Sequence, residues 1–506
     1  MRKIVYLPLD ERPCNYQFPA FISEDNKDYY LVRPAMSDMG RKKTPADHSR
    51  IAVFLREECK SADALILSVD TLLYGGIVPS RLHCLTEEEL GGRLALIREL
   101  KEQNPALKIY AFSLIMRCPS YSSSDEEPDY YGQCGREIFL TGQVTHKLQL
   151  GLMEREEAEA LLLGYAEKTS GHLEDFLHRR AVNLEMLKKT LLLVGKEIER
   201  FVIPQDDSSP YGYTAMDQLC IKEFIRAHGL RVEIYPGADE VGLTMLAAAV
   251  NQMNGKSPVI CPIYPDERCK ALVPLYEDRA VFISIRSQIE SAGAVFTENP
   301  EEADILLFCN LPIANMLDVI SCGDEHYHER KLDWFTSKMQ LALFARRLVA
   351  AADIAYCNGG DVEWLQAMDR AFGVFNLCGY AGWNTSSNTL GTVICQACLC
   401  LHYGFTPAHN RFTALRVFED VGYCAHVRKK VCDEYLPSLG LNYFHTDGKD
   451  GRVAQRVKEE LTQFVSEIAP AVAEGYEIDR CEMPWSRMFE VGITVKEKEK
   501  KQRYKE

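Results

Sequence analysis

The sequence predicts an α/β protein. Its main domain is a parallel (β/α) barrel or open sheet, followed by a second, smaller α/β unit and a helical C-terminal region. Three observations lead there. Through residues 1–255, short apolar runs alternate with amphipathic helical stretches, the pattern of strands joined by crossover helices. Acidic motifs recur just after those runs, where α/β folds place their ligands. From about residue 389 onward the text is mostly helical. At 506 residues the chain exceeds one typical domain. The divisions fall at 1–255, 256–388 and 389–506, and no low-complexity linker separates them.

In order, the predicted strands of the first domain are Ile4–Pro8, Tyr30–Arg33, Ala64–Val69, Lys108–Leu114, Phe201–Pro204 and Val232–Tyr235. Between them lie amphipathic segments such as EEELGGRLALIRELKEQN. A long charged helical block runs from Thr141 to Arg200, with Leu148, Leu152, Ala158 and Leu161–Leu163 as its apolar stripe. After NQMNGKSP the runs SPVICPIYPD, AVFISIRSQIESAGAVF and ADILLFCN read as strands at shorter spacing. DIAYCNGGD and VFNLCGYAGWN return to the strand-plus-polar-loop pattern of the first domain.

Charge narrows the function. Against 58 basic residues stand 73 acidic ones, a net charge of −15. Phosphate backbones need a basic surface, so nucleic acid is not an expected partner. The basic end, KEKEKKQRYKE, reads as a solvated tail. MRKIVYLPLDERPC is too short in its apolar run to be a signal peptide, and no stretch has the length of a membrane span, so the expected location is cytoplasmic. The 18 cysteines, many in apolar runs and with no CxxC pair, fit reduced thiols.

The acidic motifs carry the candidate site. IVYLPLDER places Asp10 and Arg12 after the first strand, with Arg12 as a clamp for hydroxyls or a partner in a buried ion pair. ALILSVDTLLYGG brings Asp70 and Tyr74, and Arg117 follows YAFSLIM. RFVIPQDDSSPYG sets Asp206 beside Asp207. Adjacent carboxylates repel unless they face different partners or share a proton, so one orients a substrate group while the other acts as an acid, or one caps a helix. VEIYPGADEVG offers the same choice for Asp239 and Glu240. IAYCNGGD ends in Asp361. GYAGWNTSSN contains one of only four tryptophans, Trp383, with Asn384 and Asn388 nearby; the loop suits either a sugar face or ordinary turn chemistry. These residues are expected to meet in one polar pocket for a small carbohydrate.

The chain has no GxGxxG after a strand, no phosphate-binding Walker loop, no HExxH and no GxSxG. His326 and His328 have a spacing open to metal ligation, but they lie in a charged stretch. No metal or cofactor is expected in the first reading. In the alternative reading the strand-end aspartates hold Mg²⁺ or Mn²⁺.

The motifs LPLDERPCN, VDTLLYGG, PQDDSSPYG, YPGADEVG and GYAGWNTSSNTLG together resemble a bacterial family known as domain of unknown function 4127, over nearly the whole chain. A shorter likeness concerns chemistry. YPGADEV is similar to the GGDEV strand-end motif of the glycoside hydrolase family twenty hexosaminidases, with alanine here in place of the second glycine and no histidine before the motif. That resemblance implies that Asp239 holds the 2-acetamido group, Glu240 protonates the leaving oxygen and Arg12 grips hydroxyls. PQDD resembles the Asp–Asp pair of family eighty-four, which implies that Asp206 orients the acetamide and Asp207 is the acid. Both imply substrate-assisted retaining hydrolysis of a small N-acetylhexosaminide, a recognised exception to the scheme of two separated carboxylates. A metal-dependent hydrolase and a non-catalytic sugar-binding protein are the alternatives.

Overall fold

In a computed structural model, residues 1–321 and 331–499 are described. His326 and His328 and the tail from residue 500 lie outside the described residues. The chain forms two compact units. The first comprises Met1–Glu11, Asn26–Ala249 and Tyr276–Arg279; the second comprises Arg12–Asp25, Val250–Leu275 and Ala280–Glu506.

The first unit is built on an open sheet of six parallel strands, not a closed barrel. They are β1 (Arg2–Leu7), β2 (Tyr29–Val32), β3 (Ala64–Ser68), β4 (Lys108–Phe112), β5 (Arg200–Gln205) and β6 (Glu233–Pro236), in the spatial order β2-β1-β3-β4-β5-β6. All six match the apolar runs of the sequence. The central strands are buried along nearly their whole length, as parallel strands covered on both faces must be. The chain starts at β1, moves to its neighbour β2, then crosses back to β3 on the other side of β1. The order therefore reverses between β1 and β3, and ligands of open α/β sheets bind beyond the carboxyl ends at such a point. The charged block between β4 and β5 is three helices, Tyr131–Gln149, Arg155–Thr169 and His172–Leu191, interrupted at Gly151 and Gly171, both in the left-handed region. Its expected apolar stripe is only partly buried. Ala158 is covered, while Leu163 is exposed because the middle helix packs through few residues, and Leu152 is exposed in the turn before that helix.

The second unit has its own parallel sheet of five strands: β7 (Val259–Ile263), β8 (Val295–Phe296), β9 (Ile305–Asn310), β11 (Leu348–Asp353) and β13 (Gly379–Ala381), ordered β13-β11-β9-β7-β8. Two-residue strands β10 (Leu317–Asp318) and β12 (Tyr356–Cys357) pair in parallel, and an antiparallel hairpin joins β14 (Tyr476–Glu482) to β15 (Gly492–Glu497). The reversal seen in the first unit recurs here between β7 and β9. Two expectations are corrected. AVFISIRSQIES is a helix, Val281–Ser291, because Val281, Ile285 and Ile289 recur at helical spacing and are buried. The strand preceding DIAYCN is LVAAAD, whose alanines carry little strand propensity but fit a sheet buried on both faces. The C-terminal part is helical as expected. It includes Ser386–Tyr403, which buries Cys395, Cys398 and Cys400, and Val417–Val427, wound as a π-helix. Among the described residues, no helix is long and apolar enough to cross a membrane.

Close packing at β13 has one testable consequence. A Cβ on Gly379 would lie 2.7 Å from the Val393 carbonyl oxygen, a backbone atom of the covering helix. Gly379→Ala is expected to cost about 1–3 kcal/mol, read as a lower urea midpoint with an unchanged slope. An unchanged midpoint would show that the helix moves away freely.

Candidate functional site

In the first unit, Asp10, Asp70, Asp206, Asp207, Asp239 and Glu240 all follow strands of the one sheet at its carboxyl edge. They are not equivalent. The most connected are Asp206 and Asp207, at the end of β5. Ile115 bridges in parallel to Gln205, so the segment leaving β4 runs alongside this strand end and delivers Arg117 to it. Arg81, in the short helix Pro79–Arg81, comes from the loop after β3.

These two buried arginines organise four carboxylates. Arg81 donates through Nη2 to Asp206 at 2.7 Å, and through Nη1 to Glu126 at 3.2 Å and Glu127 at 3.1 Å. Arg117 donates through Nε to Glu127 at 2.7 Å, through Nη1 to Asp207 at 3.0 Å and through Nη2 to Glu126 at 3.1 Å. The Asp206 carboxylate also lies 3.6 Å from Arg117. Each aspartate is thus hydrogen-bonded to its own guanidinium, Asp206 to Arg81 and Asp207 to Arg117, and the Arg117 charge beside both offsets their repulsion. Burial opposes the charge on Arg117, but Glu126, Glu127 and Asp206 outweigh it and hold its pKa well above the ordinary value. Burial and the neighbouring Asp206 push Asp207 up to about 6. Asp207 also adopts a left-handed backbone, φ 44°, a strain that recurs at functional sites. The side chains of Asp206 and Asp207 remain 20% and 25% exposed, whereas Glu127 is 1% exposed.

A small pocket adjoins this cluster. Asp70, Tyr74, Arg81, Ser113, Arg117, Asn183 and Asp206 supply its polar lining. Asp70 stands in the first turn of the helix Val69–Tyr74, beside the reversal point of the sheet. The next residue, Thr71, ties that helix to the end of β1 by bonding the Pro8 and Leu9 carbonyls at 2.6 and 2.8 Å. Asp70 accepts the Leu114 N–H at 3.0 Å, and burial pushes its carboxyl up to about 7. The pocket wall is fixed by Asn183, which bonds the Ser80 carbonyl and His83, and by the stacking of Tyr74 on His83.

The pair Asp239–Glu240 is arranged differently. Glu240 is fully buried, and its carboxylate bends back to accept the Ala238 N–H at 2.9 Å, while its carbonyl starts the helix Val241–Met253. That geometry is a capping arrangement of the strand-to-helix turn.

Arg12, Asp361, Trp383, Asn384 and Asn388 belong to the second unit. Arg12 is buried with its guanidinium 4.9 Å from the Trp485 ring. Trp383 is buried, donates its ring N–H to Thr392 at 3.1 Å and packs edge-on against Phe18. Asn384 has a left-handed backbone, and its carbonyl accepts the Asn358 N–H. Asn388 is buried in the first turn of its helix. Asp361 caps the helix Val362–Ala371 and belongs to a buried polar cluster at the carboxyl ends of β9, β11 and β13. There Asn310 donates to Asp353 and Asp361, both at 3.1 Å, while Asp353 also accepts the Asp361 N–H at 2.7 Å and the Tyr380 hydroxyl at 3.1 Å. Asp420 accepts the Gly382 N–H at 2.7 Å and the buried Arg416 at 3.0 Å. Burial, then the nearby Asp361, pushes Asp353 up to about 7.

Sequence reasoning missed Arg81, Glu126, Glu127 and Asn183 in the first unit and Asn310, Asp353, Arg416 and Asp420 in the second. The run SDEEPD after β4 was a visible signal, since four acids so close together need cations brought to them by the fold. Among the described residues no three His, Cys, Asp or Glu side chains converge as metal ligands would.

Removing the guanidinium of Arg117 would leave Glu126, Glu127 and Asp207 short of a partner. Arg117→Met is therefore expected to lower stability by about 3–5 kcal/mol, seen as a lower denaturant midpoint; an unchanged midpoint would contradict the cluster's structural weight. The folded pKa of Asp353 lies above the unfolded one, so the native state binds the proton more tightly, and stability falls as pH rises between about 4 and about 7. Asp353→Asn is expected to flatten that fall, measured by denaturant unfolding across the range. Parallel curves for the two proteins would overturn the assignment.

Residues 4–494 match the model of a family described as Protein of unknown function (DUF4127), and the chain belongs to that family. No curated protein matches the chain.

Proposed function

We propose that this member of the family is a glycoside hydrolase acting on a small N-acetylhexosaminide by substrate-assisted, retaining hydrolysis. The supporting observation is that Asp206 and Asp207 are adjacent and reachable by solvent, with Asp206 hydrogen-bonded to Arg81 and Asp207 to Arg117. The fully buried Glu240, whose carboxylate accepts the Ala238 N–H, lends less support to the Asp239–Glu240 pair.

In this reading Asp206, ion-paired to Arg81, accepts the substrate's acetamide N–H and turns the acetamide oxygen toward the anomeric carbon. That oxygen forms the new bond to carbon as the glycosidic bond breaks. The Asp207 carboxyl gives its proton to the departing oxygen. Water then attacks the anomeric carbon, returns a proton to Asp207 and reopens the acetamide ring, so the configuration is retained. Asp10, in the same unit, is a proposed contact to a sugar hydroxyl in the same scheme. No disulfide joins the cysteines described, which supports a cytoplasmic location.

Asp207→Asn is expected to reduce turnover of a natural glycoside by about 10²–10⁴-fold. A nitrophenyl leaving group, which needs little protonation, should partly rescue this variant but not Asp206→Asn. Because Asp207 must be protonated, kcat/KM should decline above about pH 6. Activity that survives both substitutions rules out the mechanism. Activity lost with EDTA and restored by Mg²⁺ or Mn²⁺ transfers the site to a metal-dependent hydrolase.

A further inference from the structure

We propose that the second unit carries a sugar-binding groove of its own, between the helices Leu332–Phe344 and Val362–Ala371, in which Trp334 offers a flat apolar face to a neutral mono- or disaccharide. This goes beyond the hydrolytic reading, which rests on the strand-end carboxylates of the first unit, and it stands or falls independently of that reading.

The groove offers about 570 Å³, a volume within the range of small-ligand sites. Its two walls are fixed against each other. Phe335 stacks on Trp364 with ring centroids 5.9 Å apart, and Gln340 donates to the Ala371 carbonyl at 2.7 Å. Along the second helix Glu363, Gln366, Ala367 and Arg370 recur at helical spacing and line the groove together. Lys331 and the first turn of the other helix supply the rest of the lining.

Trp334 differs from the other three tryptophans. Trp364, Trp383 and Trp485 are buried, whereas Trp334 is 46% exposed. Lys338, one turn further on, holds its ammonium 3.8 Å over the indole and covers one face, yet it does not line the groove. An exposed indole on a cavity wall is apolar surface that a ligand can cover. The polar groups around it have bonding capacity to spare. Among the described residues, the side chains of Asp333, Glu363, Gln366 and Arg370 form no hydrogen bond or ion pair. Two acids, Asp333 and Glu363, are balanced by two bases, Lys331 and Arg370, so the lining carries no net charge. A charged ligand would gain one set of partners and meet the other. A sugar brings C–H groups on its ring face for the indole and hydroxyls at its edge. The carboxylates accept those hydroxyl protons, and the guanidinium, ammonium and amide N–H groups donate to the hydroxyl oxygens.

Acrylamide quenching of tryptophan fluorescence tests the groove directly, because Trp334 is the exposed indole. The full chain is titrated with N-acetylglucosamine, N,N′-diacetylchitobiose and cellobiose up to about 50 mM, with adenosine as a flat aromatic control. Saturable protection by at least one of these sugars is expected, with a Kd that changes less than about twofold between low and high salt because the ligand is neutral. The sugar-sensitive component should vanish in Trp334→Phe. Glu363→Ala keeps the reporter and should weaken the protection about tenfold, with its fold verified by circular dichroism. Asp206→Asn should leave the protection unchanged, which separates this groove from the proposed hydrolytic site. No protection by any of the sugars, a sugar-sensitive component that persists in Trp334→Phe, full affinity in Glu363→Ala or stronger protection by adenosine overturns this inference and leaves the hydrolytic reading intact. Protection that disappears in Asp206→Asn, or that follows protein concentration without sugar, overturns it as well.

Discussion

The paired guanidiniums of Arg81 and Arg117 are the constraint on which the first unit's site depends. Carboxylates from two stretches of chain, Glu126–Glu127 and Asp206–Asp207, would repel one another at the carboxyl edge of the sheet without them. Each arginine binds acids from both stretches, which fixes the loop after β4 against the end of β5. Such buried pairs add little net stability compared with an apolar core, but they are costly to break on one side only. What they supply is geometry: each aspartate has its own hydrogen-bonding guanidinium, and a small pocket remains beside Asp206.

The two units solve the same problem twice. Each carries a parallel sheet whose strand order reverses beside its first strand, and each collects polar residues beyond the carboxyl ends. The outcomes differ. The first unit's aspartates are partly exposed next to a pocket. In the second unit Asn310, Asp353, Asp361 and Asp420 are closed over almost completely and bonded chiefly to one another, to backbone N–H groups and to Arg416. The same topology thus serves an accessible site in one case and a sealed polar core in the other.

Much of the fold was legible because strands buried on both faces are continuous apolar runs, as in IVYL, ALILS and ILLFCN. The acidic strand-end motifs were legible for the same reason, each following such a run. Helix Val281–Ser291 was misread because its β-branched residues look like a strand until their spacing is counted. LVAAAD was missed because alanine signals neither state strongly. The site was only half legible. Asp70, Asp206, Asp207 and Arg117 stood at strand ends, but Arg81 and Glu126–Glu127 lie in irregular loops with no periodicity, and only the fold brings them together. Trp383 drew notice by rarity, yet its ring is held within its own unit by Thr392 and Phe18, an environment that the local sequence does not reveal.

The central claim is that the exposed strand-end carboxylates of the first unit receive a 2-acetamido sugar against Asp206. A crystal structure of the protein soaked with the thiazoline of N-acetylglucosamine, a mimic of the cyclised intermediate, tests it most directly. The account predicts the sugar against Asp206 and Asp207, with its ring nitrogen within hydrogen-bond distance of the Asp206 carboxylate. No sugar at these carboxylates at saturating ligand, or the sugar bound only elsewhere, would contradict it.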